Sequence, residues 1–137
     1  MNRTFDEWVE RFNRKIPKKF KRDDRFALFY LPDKGFCELL ATDKMVILGQ
    51  VSGDGRFWKK FAEDTARVLR LKACGTYCGR KEVLAWIRLF GFKVTETEEN
   101  GGFKRFHGET DDGRWGLMTE CVFEDGMRAY QTTWEVK

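Results

Sequence analysis

Phe5, Trp8, Val9, Phe12 and Ile16 fall at i, i+3, i+4, i+7 and i+11, the spacing of one helix face. Thr4 precedes them and Glu7 follows it by three, the pattern of a capping box. Pro17 ends this helix near Ile16, because the residue before a proline is pushed out of the helical region. Lys18 to Asp24 reads as a charged connection. Phe26 to Leu31 is then rich in strand formers, and Pro32-Asp33-Lys34-Gly35 is turn chemistry. Phe36 to Ala41 predicts a second strand, Thr42-Asp43-Lys44 a turn, and Met45 to Val51 a third strand. Such short turns imply an antiparallel meander. The apolar residues of the third strand are nearly continuous, which predicts burial on both faces.

Gly53-Asp54-Gly55 breaks the strand pattern, and a helix follows over Arg56 to Leu71. Phe57, Phe61, Thr65, Val68 and Leu69 make its inward face. Arg56, Lys59, Lys60, Glu63, Arg67 and Arg70 make the outward one, with Glu63 and Arg67 a favourable i, i+4 pair. Ala73 to Cys78 is a short strand. Strand, helix and strand in this order predict a parallel pair with a right-handed crossover. A second helix covers Arg80 to Phe90, with Val83, Ile87 and Phe90 inward and Gly91 past its end. Phe92–Glu98, Phe103–Glu109, Trp115–Phe123 and Met127–Val136 are strands. Between them lie Asn100-Gly101-Gly102, Asp111-Asp112-Gly113 and Glu124-Asp125-Gly126, which are hairpin signals. The whole predicts one mixed α/β (α+β) domain over 1–137, built on a single central sheet, with a basic N-terminal helix and arm over 1–24.

The length of 137 residues suits one domain, and 42% hydrophobic with 15% aromatic residues excludes a disordered chain. The longest apolar run, Phe26 to Leu31, is far short of a membrane helix. The charged N-terminus lacks a signal-peptide core, so a cytoplasmic chain is expected. Cys74 and Cys78 are four apart, Cys37 and Cys121 stand alone, and His107 is the single histidine. That spacing predicts core thiols and no metal site. Residues 1–22 hold eight basic groups against three acidic ones, while the remainder holds 18 against 19, so the excess positive charge lies in the arm.

The turn Gln50-Val51-Ser52-Gly53-Asp54-Gly55-Arg56 joins a buried strand to a helix N-terminus. Unpaired N–H groups and the positive end of the helix dipole meet there, so an anion such as a diphosphate could dock. Arg56 adds charge and Asp54 opposes it. A bare Gly-Asp-Gly turn without ligand explains the glycines equally.

The run of strand, Gln50-x-x-Gly53-x-Gly55, amphipathic helix, strand Ala73–Cys78 and a helix ending Ala85-Trp86-Ile87-Arg88-Leu89-Phe90-Gly91-Phe92 resembles the GCN5-related N-acetyltransferase (GNAT) superfamily. The likeness covers roughly residues 25–98. It implies acetyl-CoA as cofactor, with its pyrophosphate on Gln50 to Arg56 and its pantetheine between the flanking strands. It also implies an amine acceptor, including a protein lysine, that attacks the thioester directly. Many members carry a Tyr where this chain has Ile87, and an Asn where it has Arg80, which joins the candidate cofactor-binding residues. The Leu-Phe-Gly-Phe ending also looks like small acetyltransferase-like proteins of tailed phages, some of which are virion or host-takeover proteins. That likeness implies a catalytically degenerate protein binding a host or virion partner, in the host cytoplasm or virion.

Proton transfer needs substitutes for the missing acid. Tyr77 and Cys78 end the strand beside the expected thioester, and Tyr77 is the candidate donor to the leaving sulfur. Glu38, mid-strand in the meander, is the candidate base. Against these stand Tyr77 as a rim-facing core residue, Cys78 as a packed thiol, Glu38 on a solvated strand face and His107 at the surface. The basic arm has three readings: an apolar stripe packed on the sheet, a nucleic-acid contact, or adhesion to an anionic membrane surface.

Overall fold

The computed structural model describes residues 2–16, 19–123 and 125–137, with the backbone alone of Arg80. Its elements are α1 (Phe5–Lys15), β1 (Ala27–Leu31), β2 (Gly35–Ala41), β3 (Val46–Gly53), α2 (Gly55–Val68), β4 (Ala73–Cys78), α3 (Arg80–Phe90), β5 (Lys93–Asn100), β6 (Phe103–Glu109), β7 (Trp115–Val122) and β8 (Arg128–Glu135). The eight strands form one sheet in the order β1-β2-β3-β4-β8-β7-β6-β5. Only β3 and β4 run parallel, with α2 as the crossover; every other neighbouring pair is antiparallel. The protein is thus a mixed α+β fold, with three helices among the described residues in the order the hydrophobic pattern predicts.

Thr4 and Glu7 form the expected capping box at α1, and the helix ends at Lys15 with Ile16 as its cap. Pro17 and Lys18 lie outside the described residues. Trp8 and Phe12 are buried against Phe36, with Phe5, Val9, Ile16, Phe20 and Leu28 around them. The Trp8 indole also donates to Pro32 O at 3.0 Å. The arm's apolar stripe therefore packs on the sheet. Cys37, Leu39, Val46 and Leu48 belong to a second cluster with Trp58, Ala62 and Ala66 of α2 and with Val83, Trp86 and Phe90 of α3. Helices α2 and α3 so share one face of the sheet and α1 takes the other. In β3, Val46 and Leu48 are buried while Ile47 and Gly49 are only half-buried, so its apolar run is not buried on both faces as expected. The strand runs on through Ser52 and Gly53, two residues beyond the expected end.

Helix α2 departs from the prediction. It spans Gly55–Val68 rather than Arg56–Leu71, and its buried residues are Trp58, Ala62, Glu63 and Ala66. Val68 is 81% and Leu69 49% exposed. The reason is shape: the two alanines let the helix approach the sheet, and Trp58 fills the core with its N–H donating to Lys34 O at 2.9 Å. Phe57 and Phe61 move to the flank, where Phe61 meets Phe29 at 4.9 Å between ring centroids. Glu63 turns inward with them. It pairs with the buried Arg114 and accepts the Trp134 indole N–H at 2.8 Å, so the expected Glu63–Arg67 pair does not form. Arg67 instead meets Asp64 at 2.7 Å.

Helix α3 occupies its predicted span and ends on Gly91, whose φ of 60° is the left-handed conformation the position calls for. The Gly101-Gly102 hairpin turn has φ of 60° and 84°. Glu124 of the last predicted turn lies outside the described residues. Cys37, Cys74 and Cys78 are buried and their thiols are pushed up to about 12 by burial, as unreactive core groups.

Candidate functional site

The geometry at the end of β3 follows from one irregularity. The β2–β3 register shifts between Cys37 and Leu39. Glu38 sits at that shift, 1% exposed, and its carboxylate gathers the chain around it. Arg22 pairs with it at 2.6 Å, the Asp23 N–H donates at 3.1 Å, and Gln50 Nε2 donates at 2.7 Å. The Gln50 amide also donates to Lys21 O and accepts from Lys21 N–H. Glu38 is therefore not on a solvated strand face. It is the buried anchor that holds the connection between α1 and β1 against the meander.

The turn that follows is built in the same manner. Val51 packs against the main core. Ser52 is buried and its hydroxyl donates to Trp8 O at 2.8 Å. Gly53 has φ of 106°, and a side chain there would run into the carbonyl of Lys34, so only glycine fits. Asp54 caps α2 by accepting the Phe57 N–H at 3.1 Å, and it lies 3.6 Å from Lys34 Nζ. Gly55 is open: nothing stands within 4 Å of the position a side chain would take. The N–H groups of Gly55 and Arg56 have no acceptor among the described residues, and the Arg56 side chain is exposed. The terminus can thus receive an anion through backbone donors and Arg56. Gln50, Ser52 and Asp54 already have their side-chain partners inside the fold.

Beside the turn, the parallel β3–β4 ladder has three paired positions, the last being Leu48↔Thr76. Residues 49–53 of β3 and 77–78 of β4 lie beyond it. Tyr77 is paired with Gln131 of β8 and is 50% exposed. Its hydroxyl makes no hydrogen bond among the described residues. Cys78 is buried beneath α3. Ile87 packs against the main core. His107 lies on β6 with Nε2 at 3.1 Å from Glu98 Oε1, a surface pair. The structure joins Glu38 to Gln50 and sets Tyr77 apart from both. The Arg80 side chain lies outside the described residues.

The chemistry that the sequence pattern missed is the buried charge cluster against the charged flank of α2. Arg114, 6% exposed, pairs with Glu63 and Asp112 at the start of β7. Arg114 hydrogen bonding holds the Asp112 carboxyl down to about 2. Only the inward turn of Glu63 would have signalled this cluster. No group of His, Cys, Asp and Glu that could hold a metal occurs among the described residues, and none of their helices is long and apolar enough to cross a membrane. No family model, curated protein or solved structure matches the chain.

Proposed function

We propose that the chain binds acetyl-CoA and transfers its acetyl group to an amine, in the manner of the N-acetyltransferases it resembles. The observation that supports this reading is the β3–turn–α2–β4 unit. Its parallel ladder stops after three pairs, next to a helix terminus with two unpaired N–H groups and an open Gly55. The diphosphate would lie on the Gly55 and Arg56 N–H groups, and the pantetheine arm would enter beyond Leu48 and Thr76. The amine nitrogen attacks the thioester carbonyl, the C–S bond breaks, and the leaving sulfur takes a proton. Tyr77 is the candidate donor, half-exposed and with a hydroxyl that makes no hydrogen bond among the described residues. Glu38 is held by Arg22 and Gln50 and is out of solvent, so in this reading it positions the β3 end and a water takes the amine proton.

A second reading is a catalytically silent relative that binds a protein partner. It is favoured by the engagement of Gln50, Ser52 and Asp54 within the fold and by Ile87 where the family commonly has Tyr. Calorimetric titration of acetyl-CoA separates the two. Binding that Gly55→Glu abolishes supports the first; no affinity in the millimolar range moves the function to the second.

A further inference from the structure

A groove of about 430 Å³ runs along α2, away from Tyr77 and the β3–β4 opening. Arg56, Lys59, Lys60 and Arg67 line it from the helix, Arg114 from just before β7, and Lys137 from beyond β8. Glu63 and Asp112 are the carboxylates among its lining residues. The six cations are not equally matched. Arg114 forms the floor and is bonded to both carboxylates. Lys60 and Arg67 share Asp64 on the rim. Lys137 reaches Gly113 O at 3.4 Å.

Lys59 and Arg56 stand out. The Lys59 side chain is 22% exposed, and its ammonium lies 4.3 Å over the Phe90 ring and 4.0 Å from Glu63. It makes no hydrogen bond among the described residues. Burial lowers its pKa; the Glu63 and Asp112 carboxylates oppose the shift, and Arg114 and Arg56 add to it. Arg56 has neither a hydrogen bond nor an ion pair among the described residues. Glu63 is shared with Arg114, so the half-buried Lys59 ammonium has only a long ion pair, and it lines a space wide enough to hold a further anion beside Arg56.

We propose that this groove binds a phosphate-bearing ligand, whose oxygens accept from Lys59 and Arg56. Phosphate suits the site better than a lone carboxylate, because it offers several acceptor oxygens and more than one negative charge to an excess of cations. The same chemistry belongs to a small polyphosphate and to a nucleic-acid strand running along the basic stripe of α2.

The test titrates the full chain with inorganic pyrophosphate and, separately, with a short single-stranded oligonucleotide at several salt concentrations. Pyrophosphate is expected to bind, and Lys59→Ala and Arg56→Ala each to weaken it about tenfold, the worth of one charge-assisted hydrogen bond. Lys44→Ala, in the β2–β3 turn, should bind as the parent does. If Lys59→Ala fails to fold, Lys59→Met keeps the stem over Phe90 and replaces it. Tighter, steeply salt-dependent binding of the oligonucleotide assigns the groove to nucleic acid, and pyrophosphate binding alone assigns it to a small phosphate. Arg56 stands at both places, so Gly55→Glu, which blocks the helix terminus, should weaken pyrophosphate no more than Arg56→Ala does, whereas Lys59→Met leaves the terminus intact and should weaken it about tenfold whether or not acetyl-CoA binds. Absence of binding to either probe overturns the proposal. So does binding that survives Lys59→Met and is lost in Gly55→Glu, which would place the anion on the helix terminus.

Discussion

Two glycines two residues apart behave oppositely at the α2 turn. Gly53 needs its left-handed backbone and abuts the Lys34 carbonyl, whereas Gly55 faces open space. Gly53→Ala should therefore destabilise the fold by about 1–3 kcal/mol, and Gly55→Ala should change it by less than about 1 kcal/mol. Urea titration of both variants checks this. The buried Glu63–Arg114 pair gives a second expectation. Removing one partner strands the other, so Arg114→Ala should lose about 3–5 kcal/mol. Replacing both with apolar residues of similar size should recover much of that loss. Asp112 adds a pH dependence of known sign. Its carboxyl is held down to about 2, so its contribution is present above the ordinary carboxylate range near 4 and is lost as pH falls through about 2. Asp112→Asn should lower the melting temperature at neutral pH and converge with the parent in strong acid. Asp112 is well exposed, which keeps that difference below about 1 kcal/mol.

Among the elements, α1 shows what period and caps can determine. Its face, capping box and end follow from the spacing of Phe5 to Ile16 and from Thr4 and Glu7. Trp8 is 7% exposed, so Trp8→Ala should cost about 3–5 kcal/mol, read as a shift in chemical denaturation. A midpoint that does not move would detach α1 from the core. The strands and α3 were equally legible, because glycine turns and a left-handed Gly91 bound them. Helix α2 was not, since two adjacent stripes of its surface are both apolar. Phe57, Phe61 and Val68 outweigh Trp58 and the alanines in hydrophobicity, yet the smaller residues fit closer to the sheet. The same rotation hid Glu63, and with it the Arg114 cluster. Glu38 was misplaced because a register shift, invisible in the sequence, and an arginine sixteen residues upstream decide its surroundings. The site turn was legible in position but not in use, as Gln50 and Ser52 take partners far along the chain.

For the whole molecule, the sheet brings three chemistries to different places. The α2 terminus and the β3–β4 opening are the proposed acyl-CoA site, the far flank of α2 is cationic, and Glu38 holds the connection to α1. In the proposed reaction Tyr77 is the acid at the first of these. Tyr77→Phe keeps the ring and should leave stability and acetyl-CoA affinity nearly unchanged while lowering turnover about 10²–10⁴-fold. Turnover equal to the parent would exclude it as the acid. The most direct measurement of the account is acetyl-CoA titration by calorimetry of the parent and of Gly55→Glu, both verified as folded. Saturable binding by the parent that is lost in the variant is the predicted result. No binding by the parent, or equal binding by both proteins, would contradict acetyl-CoA recognition at the α2 terminus.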